Sequence, residues 1–145
     1  MTGNRNGISE QSSNKLKELL KSIEITEAHH GDCTGADENF HQIMVSFLIK
    51  IIIHPPDKNI CRAYCQGDEI RKEKSYLDIV LIKTPDLKSF DFKYRNKDIV
   101  NECDALLAFP SSKTETLRSG TWSTIRYAKK TNKKTIIFYP DGTTS

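Results

Sequence analysis

The residues with the clearest chemical potential lie in one short run, Gly31-Asp32-Cys33-Thr34-Gly35-Ala36-Asp37, between an apolar stretch and a helical pattern. A strand that passes through glycines into a helix aims backbone N–H groups, and the positive end of the helix dipole, at one point. Gly31 and Gly35 allow close approach of a ligand, and Thr34 adds a hydroxyl. Asp32 and Asp37 repel phosphate and suit ribose hydroxyls, base N–H groups or helix capping. An ordinary strand-to-helix turn capped by Asp37 accounts for the same residues, and the sequence leaves both readings open. Cys33, amid N–H donors, is a candidate for a lowered pKa and nucleophilic character, or simply a small residue that fits.

A second run, Leu117-Arg118-Ser119-Gly120-Thr121-Trp122, repeats the arrangement of loop ahead of helix. Arg118 has the planar fork suited to phosphate, and Ser119, Gly120 and Thr121 add hydroxyls and a close backbone. Trp122 either stacks on a base or packs against a sheet. Thr2, Gly3 and Arg5 form a polar opening loop that is either a third part of the site or a mobile terminus. Arg95 and Asn96 stand at the start of a helix, facing the same edge or facing solvent. The histidines His29, His30, His41 and His54, with Cys33, Cys61 and Cys65, match no recognised ligand spacing. His29 and His30 are adjacent on a strand and point to opposite faces. No metal and no cofactor are therefore expected.

The elements that must position these loops alternate. Ser9 is the expected N-cap of a helix with Leu16, Leu19, Leu20 and Ile23 at helical spacing. A strand is expected over 23–30, then a helix from Ala36 with Phe40, Ile43, Met44 and Phe47 on one face. The β-branched run 48–53 reads as a strand buried on both faces and stopped at His54-Pro55-Pro56. Residues 57–91 are irregular apart from an apolar run at 76–82. A helix over 93–103, a strand over 105–109, a polar loop at 111–119, a helix over 122–130 and a strand over 135–139 complete the pattern. Such alternation predicts an α/β, Rossmann-like three-layer fold with a mostly parallel sheet of about five strands, in one domain spanning 1–145. Ligands in such sheets bind beyond the carboxyl ends of the strands, which is where the polar loops gather.

Bulk properties narrow the partners. Among 145 residues, 22 bases against 19 acids leave a net charge of +3, which disfavours a broad nucleic-acid-binding face and leaves room for a local basic pocket. The longest apolar run, 47–53, is far short of a membrane span. Four cysteines without a CxxC pair, and no secretory leader, predict reduced thiols in the cytoplasm.

Taken with His54-Pro55-Pro56 and Arg95-Asn96-Lys97-Asp98-Ile99-Val100, the two runs resemble the SLOG superfamily. This Rossmann-like group includes the cytokinin-activating LOG enzymes and the DNA-processing protein DprA. The Gly-Asp-Cys-x-Gly-Ala-Asp form is most similar to stand-alone YspA-type SLOG proteins of bacteria and phages. The likeness covers the chain apart from 57–92, which reads as an insertion atypical of the family. It implies a nucleotide-derived ligand, with His54 added to the site residues already named, and a homodimer or higher homo-oligomer formed through helices flanking the sheet. The apolar faces at 36–47 and 122–130 are the candidate surfaces, unless they are core. Catalytic LOG enzymes carry a Pro-Gly-Gly-x-Gly-Thr-x-x-Glu motif, and at its glutamate position this chain has Thr124. Pro110 also begins a longer polar loop without the paired glycines. The resemblance thus implies binding and sequestration of a signalling nucleotide, of NAD-derived or cyclic type, as in an anti-defence sponge of a phage. The alternative is a small nucleoside-monophosphate phosphoribohydrolase in which Asp32, Asp37 or Glu115 replaces the missing glutamate.

Overall fold

The computed structural model describes residues 1–56, 61–71 and 87–145. In chain order the elements are β1 (Thr2–Gly3), α1 (Glu10–Ser22), β2 (Glu27–His30), α2 (Ala36–Ser46), β3 (Lys50–Ile53), β4 (Glu69–Ile70), α3 (Leu87–Glu102), β5 (Ala105–Phe109), α4 (Gly120–Lys130) and β6 (Lys134–Ile137). Ser9 caps α1 through its side chain, which accepts the Ser12 N–H. Leu16 and Leu20, one turn apart, are buried by that helix. The strand expected over 23–30 is shorter, because Ile23 still ends α1, its N–H donating to the Leu19 carbonyl. Helix α3 starts at Leu87, ahead of the expected 93. The apolar run at 76–82 lies outside the described residues.

Among the described residues the named strands all pair in parallel, with two isolated antiparallel bridges outside them, but one sheet of about five strands is not what the structure has. Two three-stranded sheets are present among the described residues, in the orders β1-β5-β6 and β2-β3-β4. The physical reason is the length of β1. Its two residues pair with Ala108 and Phe109 of β5, and toward β2 the contact is the Met1 amino group donating to the His29 carbonyl. β4 extends the second sheet from within the stretch read as an insertion. It is fixed there by Asp68, whose N–H donates to the Ile51 carbonyl while its carboxylate accepts the Ile51 N–H.

Helices cover the strands in two apolar clusters. Leu16 and Leu20 of α1 and Phe40, Ile43 and Met44 of α2 pack with Ala28, Ile51, Ile53 and Phe109. Val100 of α3 and Trp122, Ile125 and Ala128 of α4 pack with Leu106, Ala108 and Ile137. Strand β5 feeds both, Leu106 and Ala108 one and Leu107 and Phe109 the other, as the two-residue period of a strand buried on both faces requires. The helix faces at 36–47 and 122–130 that sequence offered as dimer surfaces are therefore core.

Candidate functional site

The loop from β2 to α2 is closed on itself. The N–H groups of Gly31 and Cys33 both donate to Asp37 Oδ2, at 3.0 and 3.2 Å. Asp32 N–H donates to His30 Nδ1, Thr34 N–H to the Cys61 carbonyl and Ala36 N–H to the Asn4 carbonyl. Asp37 thus fills from within the anion nest that the glycines open. Burial raises its carboxyl above the ordinary aspartate range, against the pull of Arg95 and the two N–H donors. Asp32 is 0% exposed. Its Oδ2 receives Arg62 Nε and Nη2 at 2.8 and 2.6 Å, its Oδ1 receives the Cys65 N–H, and its carbonyl the Ala63 N–H. It clamps residues 61–65 and does not border the cavity described below. Gly35 has φ +93°, and a Cβ there would stand 2.4 Å from the Arg5 carbonyl oxygen, so glycine lets the two loops meet.

Arg95 reaches from α3 across the ends of β2 and β3. Its Nη1 donates to the carbonyls of Gly31 and His54, its Nε to Asn96 Oδ1, and its Nη2 to Cys33 Sγ at 3.4 Å. A Cβ at position 31 would lie 2.0 Å from that Nη1, so any larger residue there would have to displace the Arg95 guanidinium. Burial pushes the Cys33 thiol up, so Cys33 stays a protonated, small packing residue and not the activated nucleophile its setting suggested. Asn96 continues the chain of contacts, donating to Thr124 Oγ1 at 3.0 Å, while that hydroxyl donates to the Gly120 carbonyl at 2.9 Å. Both capacities of the Thr124 hydroxyl are engaged in holding α4.

The start of α4 is open by contrast. Ser119 caps it, its Oγ accepting the Trp122 N–H and its carbonyl the Ser123 N–H. The N–H groups of Gly120 and Thr121 have no hydrogen-bond partner among the described residues, and space for a Cβ at Gly120 is free of neighbours within 4 Å. These groups border a cavity of about 1010 Å³ that also meets β1, the 31–37 loop and α3. Among the described residues six cationic side chains line it, Arg5, Lys93, Arg95, Lys97, Arg118 and Arg126, against one carboxylate, Asp37. Arg126 is paired with Glu115. Arg5 and Arg118 are exposed and carry no ion pair among the described residues. Phe92 and Tyr127 add aromatic wall, and Lys97 lies over the Tyr127 ring at 5.4 Å.

Of the residues singled out from sequence, Thr2, Gly3, Arg5, Gly31, Cys33, Thr34, Asp37, Arg95, Asn96, Arg118, Ser119, Gly120 and Thr121 border this cavity. Asp32, Gly35, His54 and Trp122 do not. The indole of Trp122 is buried among Val100, Leu106 and Ile125. His54 turns inward to His29, Nε2 to Nδ1 at 2.9 Å. Burial, aided by His29, lowers its imidazole to about 3, and it stays neutral. Sequence reasoning passed over Asn4, Lys93, Lys97, Ser123 and Tyr127. The signal was helical spacing. Positions 93, 96 and 97 share one face of α3, and 120, 123, 124 and 127 one face of α4.

The arrangement suits a ligand with negative charge near Gly120 and Thr121 and a planar group near the aromatic wall. No helix among the described residues is long and apolar enough to cross a membrane. Compared with protein-family models, curated proteins and solved structures, the chain matches none.

Proposed function

We propose that this protein binds a phosphate-bearing, nucleotide-derived small molecule in the cavity and holds it without cleaving it. The observation that carries the proposal is the charge of the wall, six cations facing one carboxylate that already accepts two N–H groups. Phosphate belongs at the open N–H groups of Gly120 and Thr121, beside Arg118 and Arg5, and the base against Phe92 or Tyr127. A Rossmann-like reading of the fold supports this. Joined at Met1 and His29, the two sheets give the strand order 4-3-2-1-5-6, with the cavity at the point where the order reverses.

Cleavage of an N-glycosidic bond builds positive charge on ribose and needs a carboxylate or a general base aimed at it. Thr124 supplies neither, and Asp37 is committed to its own loop. A domain that retains recognition and lacks that group acts as a sponge for a nucleotide signal in the cytoplasm, which fits an anti-defence role by the SLOG resemblance. Self-association as a homodimer is part of the proposal, and light scattering should then give twice 16.5 kDa.

The test is incubation with nucleoside monophosphates and NAD-derived compounds, denaturation and chromatography. Recovery of the bound compound intact is the expected result. Release of free base over several turnovers would establish the phosphoribohydrolase reading instead.

A further inference from the structure

Away from the cavity, two histidines and a carboxylate converge beneath α3. His29 Nδ1 lies 2.9 Å from His54 Nε2, and Glu102 Oε2 lies 3.8 and 3.9 Å from the same two nitrogens. The circle through these three atoms has a radius of about 2.1 Å, within the 2.0–2.2 Å range of zinc–nitrogen and zinc–carboxylate bonds. From this geometry we infer a binding site for a first-row divalent cation of the zinc class, held by His29, His54 and Glu102.

The hydrogen bonding around the triangle favours the ligand role. His29 Nε2 lies 3.1 Å from Glu27 Oε1, and an ionised carboxylate only accepts, so the ring proton is on Nε2. That leaves a lone pair on Nδ1 facing the triangle. Carboxylate behind histidine behind metal is the usual outer support of such sites. His54 Nε2 also faces the triangle, and its proton moves to Nδ1 when the ion enters. Glu102 is 32% exposed and gives the route in, with solvent completing the coordination. Arg71 touches Glu102 at 3.4 Å but also pairs with Glu69 at 3.1 Å, so it has a second partner when an ion takes Glu102.

A second group, His30, His41 and Cys65, is equally compact and fails this test. His30 Nδ1 accepts the Asp32 N–H, so its proton sits on Nε2, the atom that would have to bind. Burial and Asp32 also raise the Cys65 thiol to about 12, which adds a cost to forming a thiolate there. The two groups therefore serve as site and control within one molecule. An ion in the first fastens the end of α3 to β2 and to the residue after β3, a structural staple separate from the ligand cavity.

The experiment is a titration of chelator-treated protein with Co²⁺, followed by its visible d–d absorption, with Zn²⁺ as competitor. One Co²⁺ per chain, displaced by Zn²⁺, is expected, without a thiolate charge-transfer band. Zn²⁺ should also raise the melting temperature. Glu27→Gln, which alters no ligand, should weaken binding roughly 10–100-fold, and Glu102→Gln by more. Cys65→Ser and His41→Ala should leave binding unchanged. His29→Ala and His54→Ala alter buried rings, so the two partly exposed glutamates decide the matter if those variants misfold. Absence of Co²⁺ binding would overturn the inference. So would binding that survives Glu102→Gln and Glu27→Gln, or that shows a thiolate band and is lost in Cys65→Ser.

Discussion

The loops at 31–37 and 118–122 begin alike and end differently. Each follows a buried strand, contains glycine and runs straight into a helix. In the first, Asp37 in the opening turn of α2 turns back onto two N–H groups. In the second, α4 has no acid in its first turn, and the N–H groups of Gly120 and Thr121 stay open to the cavity. A glycine-rich turn before a helix is thus an anion site only to the extent that its donors are left over. An acid one or two positions into the helix consumes them.

Several substitutions separate the two loops. Arg95→Met removes the donor to the carbonyls of Gly31 and His54, buried acceptors whose orphaning costs about 1–3 kcal/mol each. Unfolding in urea should show a loss of roughly 2–6 kcal/mol, and an unchanged midpoint would mean the closed loop stands without α3. Arg118→Ala should leave stability unchanged and weaken binding of a nucleoside monophosphate by about 1.5–3 kcal/mol, read by calorimetry. Equal affinity would move the anion away from the open loop.

Asp37→Asn probes the closed loop through pH. The Asp37 carboxyl is raised in the folded chain above its ordinary value of 3.8, so the native state holds that proton more tightly than the unfolded chain. Stability therefore declines as pH rises from 3.8 through the raised folded value, and stays at its reduced level above it. The asparagine variant should lack this slope in thermal melts and should bind phosphate a few-fold more tightly, Asp37 being the one carboxylate lining the cavity among the described residues. A slope that persists would assign the proton to another group. The smallest effect concerns Cys33. Its thiol should resist alkylation in native protein at mildly alkaline pH, and react once the chain is unfolded.

Much of this was legible in the residues. Helical spacing located α1 and α2, and the β-branched run 48–53 and the apolar run 105–109 located β3 and β5, because period and strand composition are local properties. The split of the sheet was not legible, since it turns on how few residues β1 commits to pairing. The fates of Asp32 and Asp37 were hidden for a different reason. Both are acids in one glycine loop, and only the position of residues 61–65 decides that one faces Arg62 while the other caps. The pairing of His29 with His54 is equally non-local, joining side chains 25 positions apart. Sequence spacing within one helix or loop carries no trace of it.

Arg95 also constrains the order in which the molecule acquires its function. It binds carbonyls 64 and 41 positions earlier in the chain, so the floor of the cavity closes only after long stretches of polypeptide have been brought together. Contacts of such separation carry a larger loop-closure entropy than local ones. On the proposed function, a ligand that binds only the completed fold stabilises the native state by mass action, by about 2.7 kcal/mol at a hundredfold excess over Kd.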